Sequence, residues 1–324
     1  MTRPLAIRVT RRLPEPVEAQ LRSRYDARLR EDDLPLDADQ LRAALAEYDV
    51  ILCTLGDHFT REMLEVLPRR TRLLANFGAG VDHIDVDAAR DCGISVSNTP
   101  GVLTDDTADL TILLILAALR RATEGIRELA AATWSGWRPT HLLGTRAFGA
   151  TLGIVGFGRI GQAVARRAHH GFGMRIVYHS RREPPSNVVR SLGARRAPSL
   201  HALLGDSDVV SLHVPATPET HHLIDAAALA AMRPSSFLVN TARGDVLDEP
   251  ALIDALGRGV IAGAGLDVFE GEPAVSPDLL ALPNVFALPH LGSATTESRV
   301  AMGERALANI DAFVADRPLP DRVV

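Results

Sequence analysis

Short apolar runs alternate with helical patterns over the first part of the chain, up to Ser97. The apolar runs are rich in branched side chains and predict β-strands at Leu5–Val9, Val50–Thr54, Leu73–Phe77 and Ile94–Ser97. The segments between them have apolar positions at helical spacing and predict helices at Glu15–Arg24, Ala38–Glu47, Arg61–Leu67 and Asp87–Asp91. Strands that alternate with helices in this way predict a parallel sheet covered on both faces.

A second series of the same kind begins at Thr151. It predicts strands at Thr151–Val155, Arg175–His179, Val209–His213, Phe237–Asn240, Gly263–Leu266 and Val285–Leu288. Between the two series lie a long helical stretch, from Thr104 to Ala132, and a loop that contains Trp134 and Trp137. A last apolar helix, from about Thr295 to Val314, follows the second series, and we expect the chain to return there to the first domain.

Length and composition limit the classes of protein that remain. The chain has 324 residues, more than the roughly 250–300 that one core supports, which predicts two domains. Its net charge of −5 gives no reason to expect a nucleic acid or a membrane as partner. The most apolar stretch, Leu110 to Leu119, is far shorter than the roughly 20 residues of a membrane span. We see no secretory signal, and the two cysteines, Cys53 and Cys92, fit a reducing cytosol, so we expect a cytoplasmic protein.

All 35 basic residues are arginines. The sequence therefore excludes mechanisms that need a lysine, such as Schiff-base chemistry, phosphate binding by a P-loop, and the Tyr/Lys pair of short-chain dehydrogenases. It also shows no cluster of His, Cys and Asp with the spacing of metal ligands, so we expect no metal site.

A glycine turn follows the first strand of the second series. Gly156, Gly158 and Gly161 have the G-x-G-x-x-G spacing, and a helical pattern continues from Gln162 to His169. In this context the first glycine permits a tight turn, the second lets the backbone approach a pyrophosphate, and the third lets helix and strand pack closely. The helix N-terminus supplies free N–H groups to the phosphates. The turn therefore predicts a dinucleotide-binding domain rather than a purely structural glycine turn.

The end of the next strand indicates which dinucleotide is bound. NAD enzymes usually have an acidic residue about 20 positions after the turn, where it bonds the ribose hydroxyls. Here Ser180 stands near that position, followed by Arg181 and Arg182, and the next acid is Glu183. A hydroxyl and two guanidinium groups can bind the 2′-phosphate of NADP. We therefore expect NADP(H) to be preferred, with NAD(H) possible; the alternative is an ordinary solvated basic loop.

Three polar residues stand in the segments that follow later strands. Arg243 follows Phe237–Asn240, Glu272 follows Gly263–Leu266, and His290 follows Val285–Leu288. Ligands of open α/β sheets bind beyond the carboxyl ends of the strands, so these residues are candidates for chemistry. Arginine suits a carboxylate or carbonyl oxygen, and histidine can donate a proton near neutral pH. Glu272 could orient the imidazole of His290 and favour its protonated form.

These segments resemble the D-isomer-specific 2-hydroxyacid dehydrogenase family. The resemblance spans nearly the whole chain and rests on long motifs in the family's order: Phe77–Asp85, Asn98–Thr104, Val239–Gly244, Gly263–Pro273 and Pro289–Ser293. Three further segments resemble the glyoxylate/hydroxypyruvate reductase branch, namely Thr10–Pro14, Trp134–Pro139 and His179–Arg182.

The resemblance implies an α/β fold of two doubly wound parallel-sheet domains with a cleft between them. A flavodoxin-like substrate domain would comprise residues 1–98 and 291–324. An NAD(P)-binding Rossmann domain would comprise residues 99–290, with residues 104–144 as the dimerisation arm of a homodimer.

The resemblance also implies residue roles. Arg243 would bind a small 2-keto acid, His290 would donate the proton, and Glu272 would orient His290; we choose Glu272 over Glu270 because the family's functional glutamate stands directly before proline. Substrate contacts would come from Leu55, from the N–H groups of Ala79 and Gly80, and from Trp137, which could reach into the partner subunit. Expected cofactor contacts are Thr104, Gly156, Gly158, Arg159, Ile160, Gly161, Ser180, Arg181, Arg182, His213, Val214, Pro215, Thr241, Ala242, Asp267 and Gly292.

We therefore expect an NADPH-preferring reductase of glyoxylate and hydroxypyruvate. Other 2-keto acids, including 2-ketogluconate and pyruvate, remain open. The family also includes corepressors that use the fold as a cofactor-responsive binding module, and the sequence leaves that alternative open as well.

Overall fold

The computed structural model describes residues 5–324, which form two compact units. One unit contains the chain up to Leu103 together with Ser293–Val324, and the other is Thr104–Gly292. The boundaries expected from the sequence, after residues 98 and 290, fall slightly earlier. Local hydrogen bonds explain the difference: Thr99 N–H donates to the Gly78 carbonyl in the first unit, and Gly292 N–H donates to Asp267 in the second.

The first unit is a parallel sheet with helices on both faces. Its strands are β1 (Ala6–Val9), β2 (Asp26–Arg28), β3 (Val50–Cys53), β4 (Leu73–Asn76) and β5 (Ser95–Ser97). Its helices are α1 (Glu15–Arg24), α2 (Ala38–Glu47), α3 (Arg61–Leu64), α4 (Val86–Asp91) and, from the end of the chain, α13 (Thr296–Val314). The strand order β2-β1-β3-β4-β5 is the flavodoxin-like order expected from the sequence.

Side chains of β3 alternate between the two faces of this sheet. Val50 and Leu52 pack with α1 and α13, whereas Ile51 and Cys53 pack with α2 and α4. Both faces are therefore buried, which explains why the strand is apolar at every position instead of alternating with polar residues. Helix α13 lies close against α1, because a Cβ atom at Gly303 would come 2.3 Å from Val17.

The second unit contains a larger parallel sheet. Its strands are β6 (Thr151–Val155), β7 (Arg175–His179), β8 (Arg195–Arg196), β9 (Val209–Leu212), β10 (Phe237–Asn240), β11 (Gly263–Leu266) and β12 (Val285–Ala287). Its helices are α5 (Thr104–Leu119), α6 (Ala122–Ala130), α7 (Arg159–Phe172), α8 (Ser186–Ser191), α9 (Leu200–Asp206), α10 (Ala226–Ala230), α11 (Glu249–Gly257) and α12 (Pro277–Ala281), with a 3₁₀ turn at Gly244–Val246.

The strand order of this sheet is β12-β11-β10-β9-β6-β7-β8. The chain starts at β6, extends through β7 and β8 to one edge, and then crosses to β9 on the other side. The order therefore reverses between β6 and β9, and ligands of such sheets bind beyond the carboxyl ends of the strands at this point. This arrangement confirms the Rossmann fold class expected from the sequence.

The long helical stretch that begins at Thr104 is two helices instead of one. Arg121 has a left-handed backbone, with φ of 55°, and separates α5 from α6. The chain returns to the end of α5 at Thr145, whose N–H donates to the Leu119 carbonyl at 2.8 Å.

Among residues 5–324, none of the helices combines the length and the apolar character of a membrane span.

Candidate active site

The glycine turn between β6 and α7 is shaped by close backbone contacts. Gly156 has φ of 91°, and a Cβ atom there would lie 2.5 Å from the His213 carbonyl oxygen. A Cβ atom at Gly161 would lie 2.3 Å from the Gly156 carbonyl oxygen, so helix and strand pack too closely for a side chain. At Gly158, by contrast, the Cβ position faces open space, with no atom of residues 5–324 within 4 Å apart from those of its own chain neighbours and nearby helix backbone. The open space at Gly158, next to the start of α7, fits the pyrophosphate of a dinucleotide.

The strand β7 ends at the position expected to distinguish NAD from NADP. Arg181 and Arg182 are exposed, and neither has an ion-pair partner among the residues that the structure describes. Ser180 precedes them, and its carbonyl accepts a hydrogen bond from Arg196 Nη2 at 3.1 Å. The same guanidinium pairs with Glu183 at 2.6 Å. The carboxylate of Glu183 is therefore paired with the guanidinium of Arg196. The end of β7 keeps the positive charges of Arg181 and Arg182.

Arg196 is a residue that the sequence analysis missed. It lies on the edge strand β8, where it pairs in register with Tyr178. The strand is only two residues long, so no apolar run marked it in the sequence.

The loop after β12 carries His290 in a left-handed conformation. Its φ is 54°, and its N–H donates to the Asp267 carbonyl at 2.9 Å. The Asp267 carboxylate accepts N–H groups from the next two residues, Leu291 at 2.7 Å and Gly292 at 2.8 Å. Burial raises the pKa of Asp267, although these two backbone hydrogen bonds and the charge of His290 act in the opposite direction. Asp267 therefore fixes the loop that presents His290.

His290 and Glu272 form the expected pair. Nδ1 of His290 lies 2.7 Å from Oε2 of Glu272, and both side chains are about one-third exposed. The other carboxylate oxygen of Glu272 accepts the Phe269 N–H at 2.9 Å, which fixes its orientation. Desolvation raises the pKa of Glu272, but the hydrogen bond and charge of His290, the Phe269 N–H and the charge of Arg243 outweigh it, so the pKa is lowered. Glu272 is thus an ionised carboxylate in contact with the imidazole of His290.

Arg243 lies at the start of the 3₁₀ turn that follows β10. Asn240, the last residue of β10, fixes this turn through two hydrogen bonds of its side-chain amide. Its Nδ2 donates to the Arg243 carbonyl at 2.8 Å, and its Oδ1 accepts a hydrogen bond from the Ala242 N–H at 3.0 Å. The next residue, Gly244, packs against the loop after β11, because a Cβ atom there would lie 1.9 Å from the Phe269 carbonyl oxygen. The loops of Arg243 and Glu272 are therefore in contact.

A chain of hydroxyl groups supports the same loops from α5. Thr107 Oγ1 donates to the Gly292 carbonyl at 3.0 Å, and Thr111 Oγ1 lies 2.9 Å from Thr241 Oγ1. Three of the expected cofactor contacts, Thr241, Ala242 and Gly292, thus have polar groups bonded inside the unit. In this structure they support the loops; contact with a cofactor stays a prediction for them.

The remaining expected cofactor residues surround the glycine turn or begin a helix of the second unit. Arg159 and Ile160 form the first turn of α7, Thr104 begins α5, and Val214 and Pro215 follow β9. His213 lies between Ser211 and Gly156, with Nε2 at 2.8 Å from Ser211 Oγ. Desolvation lowers the pKa of His213 to about 3, so this imidazole is neutral at ordinary pH.

In the first unit, a polar loop after β4 contains Ala79 and Gly80. Asn76 Nδ2 donates to the carbonyls of Gly78 and Gly80, and Asn98 Nδ2 donates to the Ala79 carbonyl at 2.7 Å. The N–H groups of Ala79 and Gly80 have no acceptor among the described residues. The carbonyl oxygens of this loop are thus bonded to the two asparagine side chains, and the two backbone N–H groups of Ala79 and Gly80 are available to bind an anion.

Leu55 and the two asparagines complete this loop. Leu55 packs over Gly78, whose Cβ position lies 2.8 Å from the leucine side chain. Asn76 and Asn98 were absent from the residues expected from the sequence. An asparagine after a strand is common in turns, so the sequence carried no specific signal for their role.

Trp137 is 82% exposed and lies in the segment between α6 and β6. It has large exposed apolar neighbours along the chain in the part that the structure describes, at Ile126, Leu129, Trp134, Leu143 and Phe148. Single exposed apolar residues are common, but six within one short segment are typical of an interaction surface.

These features define an NAD(P)-dependent dehydrogenase with two parallel-sheet domains and an Arg/Glu/His site in the dinucleotide-binding domain. The family model "D-isomer specific 2-hydroxyacid dehydrogenase, NAD binding domain" matches residues 112–292. The chain is 43% identical to a glyoxylate reductase of Thermococcus onnurineus over 94% of this chain and 91% of that protein. It is 39% identical to a glycerate dehydrogenase of Hyphomicrobium methylovorum, with 95% of each chain covered.

A solved structure is similar over the same range. The NADPH-dependent glyoxylate/hydroxypyruvate reductase of Sinorhizobium meliloti, in complex with NADP and malonate, has a TM-score of 0.86 and 34% identity, covering 99% of this chain and 97% of that one. The chain therefore belongs to the D-isomer specific 2-hydroxyacid dehydrogenase family, and its relatives place it in the glyoxylate reductase branch.

The glycine turn generates a prediction with a matched control. Gly158→Ala should raise the Kd for NADPH by about tenfold or more, because its methyl group enters open space that fits the pyrophosphate, and should change stability by less than about 1 kcal/mol. Gly161→Ala should instead lower the free energy of unfolding by about 1–3 kcal/mol, because its methyl group meets the backbone. Fluorescence titration and thermal unfolding measure the two effects. Unchanged NADPH affinity in Gly158→Ala would contradict the assignment of this space.

The His290–Glu272 pair predicts a change in pH dependence. The pKa of Glu272 is lowered, so the fall in kcat/KM that comes from protonating this carboxylate should begin only below the ordinary titration range of a glutamate, and Glu272→Gln should lack this fall. At neutral pH the rate should fall by about 10²–10⁴ in His290→Gln and by less in Glu272→Gln. Glu270→Gln is the control, since Glu270 contacts His222 and not His290. A Glu272→Gln profile that coincides with wild type would show that the carboxylate does not assist the donor.

Proposed function

We propose that the protein reduces small 2-keto acids with NADPH, converting glyoxylate to glycolate and hydroxypyruvate to D-glycerate. The observation that carries the proposal is the His290–Glu272 pair at 2.7 Å, in the unit that holds the dinucleotide turn and Arg243. Its relatives include a glyoxylate reductase, a glycerate dehydrogenase and a glyoxylate/hydroxypyruvate reductase, which supports the same substrate class.

The residues of the second unit perform the polar part of the reaction. Bound NADPH supplies the hydride that reduces the keto carbon. Arg243 binds and polarises the keto oxygen with its permanently charged guanidinium. His290 donates a proton to that oxygen from Nε2, because Nδ1 is held by Glu272. Glu272 keeps the imidazole oriented, and Asp267 fixes the backbone of His290 and of the two residues that follow it.

The first unit binds the substrate carboxylate in this proposal. The N–H groups of Ala79 and Gly80 have no acceptor among the described residues, and the carbonyls of Ala79 and Gly80 accept hydrogen bonds from Asn98 and Asn76, respectively. Backbone N–H groups are effective donors to an anion when they are fixed in advance. Leu55 provides the apolar side of the substrate position, and its size favours substrates with a small group beside the keto carbon.

The preference for NADPH follows from the end of β7. A carboxylate there would repel a 2′-phosphate, and the one acid in this segment, Glu183, is already paired with Arg196. Arg181 and Arg182 are exposed without an ion-pair partner in the described chain, and Ser180 offers a hydroxyl. Each charge-assisted hydrogen bond to the phosphate contributes about 1.5–3 kcal/mol, which is enough to separate the two cofactors.

Steady-state kinetics tests the proposal. We expect kcat/KM to be highest for glyoxylate and hydroxypyruvate among a set that includes pyruvate and 2-ketogluconate, and to be higher with NADPH than with NADH. The double variant Arg181→Ala/Arg182→Ala should raise the KM for NADPH by roughly 10–100-fold and leave that for NADH unchanged. Arg195→Ala is the matched control, because Arg195 is exposed on β8 and pairs with Asp206.

The outcomes separate the parts of this proposal. A wild-type preference for NADH would overturn the cofactor assignment while leaving the reductase intact. Binding of NADPH without turnover on any 2-keto acid would contradict the enzyme and favour a cofactor-responsive binding module.

We also propose that the exposed segment around α6 forms the interface of a homodimer. Its six large apolar side chains, which include Leu129 and Trp137, are the observation that supports an interface. The cross-subunit contact of Trp137 with a bound substrate belongs to the same proposal. The surrounding arm corresponds to residues 104–144 in the sequence analysis.

Sedimentation velocity tests the dimer. Wild type should sediment as a dimer, and Leu129→Glu should dissociate it, because a buried carboxylate at an apolar interface lacks a partner. Leu34→Glu is the control: Leu34 is also 65% exposed but lies outside the segment. Identical sedimentation of wild type and Leu129→Glu would contradict this interface.

A further inference from the structure

Two adjacent histidines and a glutamate meet beside the loop that carries Glu272. One ligand atom from each of His221, His222 and Glu270 lies within 4.8 Å of the others. The two imidazole rings stack with centroids 4.0 Å apart, and His222 Nε2 lies 2.9 Å from Glu270 Oε1. His221 is exposed and the other two are half-buried, so an ion can reach the cluster from solvent.

The backbone holds these side chains together. His222 has a left-handed conformation, with φ of 47°, and its N–H donates to the Asp245 carbonyl at 2.8 Å. The segment that follows is joined to the end of the 3₁₀ turn by a bridge between Ile224 and Leu247. Glu270 is held from the other side, because its N–H donates to the buried carboxylate of Glu249 at 3.3 Å. Backbone hydrogen bonds therefore hold both the loop of His222 and the loop of Glu270 in place.

A second carboxylate stands behind His222. Asp248 Oδ2 lies 4.0 Å from His222 Nδ1, and the same side chain is fixed as the N-cap of α11 by the Ala251 N–H at 2.9 Å. A carboxylate next to the distal nitrogen of a ligating histidine orients the ring and increases its basicity. The carboxylate of Asp248 thus lies near Nδ1 of His222, and Nε2 of the same imidazole faces Glu270.

We propose that His221, His222 and Glu270 bind one divalent transition-metal ion of the Zn²⁺ class. Two imidazoles and one carboxylate are ligands that suit zinc and its neighbours and not the oxygen-seeking ions Mg²⁺ and Ca²⁺. A tetrahedral zinc ion holds its ligand atoms roughly 3.3 Å apart, so the distances between these ligand atoms need to shorten by at most about 1.5 Å to enclose it. Water completes the coordination shell.

The site is separate from the catalytic pair. Glu270 and Glu272 belong to the same loop, but Glu270 contacts His222 whereas Glu272 contacts His290. A bound ion would join the loop after β9 to the loop that carries Glu272. No metal site was expected from the sequence, because Glu270 lies 48 residues from His222 and shows no ligand spacing with it.

Titration of the full-length protein with Zn²⁺ and Co²⁺ tests this site. After removal of metal with a chelator and exchange into chelator-free buffer, we expect calorimetry to show one Zn²⁺ per chain at this site. Co²⁺ should give the intense visible absorption of low-coordinate geometry. Zn²⁺ should also raise the Tm, since a ligand of the folded state stabilises it. Glu270→Gln and His221→Gln should each weaken Zn²⁺ binding by more than about tenfold and abolish the Tm increase.

Two control variants test whether other histidines bind the Zn²⁺ ion. His169 and His170 are also adjacent, with ring centroids 4.9 Å apart, but no carboxylate groups with them in the described chain, so His169→Asn/His170→Asn should bind Zn²⁺ like wild type. His290→Asn removes the catalytic imidazole and should also retain the site. Loss of binding in either control, or unchanged affinity in Glu270→Gln, would overturn the proposal. The metal-free Tm of each variant shows whether it is folded.

Discussion

The buried carboxylate of Asp267 is the interaction on which the site depends most. It accepts two successive backbone N–H groups, those of Leu291 and Gly292, directly after the left-handed residue His290. A left-handed backbone is unfavourable for a residue with a side chain and persists only where the surroundings hold it. The two hydrogen bonds, together with the His290 N–H to the Asp267 carbonyl, provide that hold. The imidazole proposed as proton donor is thus positioned by its backbone.

The other side chains of the proposed site, Arg243 and Glu272, are positioned by the same kind of contact between loops. Asn240 holds the turn of Arg243, and Gly244 allows that turn to pack directly on the Phe269 carbonyl. Phe269 in turn donates its N–H to Glu272. Each loop after β10, β11 and β12 therefore fixes its neighbour, and the hydroxyl groups of α5 support the whole set from behind. A change at one of these supports would act on catalysis without touching a substrate.

Much of the fold and of the proposed site could be predicted from the sequence, because it depends on short patterns of neighbouring residues. All strands except the short edge strands β2 and β8, the glycine turn and the Arg243, Glu272 and His290 positions follow from short patterns and from a family resemblance. The break between α5 and α6 could not be predicted, because it depends on the return of Thr145 to the Leu119 carbonyl. Arg196 lacked a signal because its strand is two residues long, and the neighbourhood of His222 and Glu270 exists only after the sheet has formed.

The loop of Ala79 and Gly80 has a consequence for how the protein would recognise an anion. Its donors are amide N–H groups, held in place by the neutral side chains of Asn76 and Asn98, and none of these groups ionises in the physiological range. A receptor of this kind keeps the same affinity for a carboxylate across pH and is less sensitive to added salt than an arginine would be. The acid–base groups of the proposed reaction, Glu272 and His290, belong to the other unit. In that proposal the carboxylate is anchored by groups that carry no ionisable proton, so a substitution in this loop would change substrate affinity and leave the pH dependence of the reaction as it is.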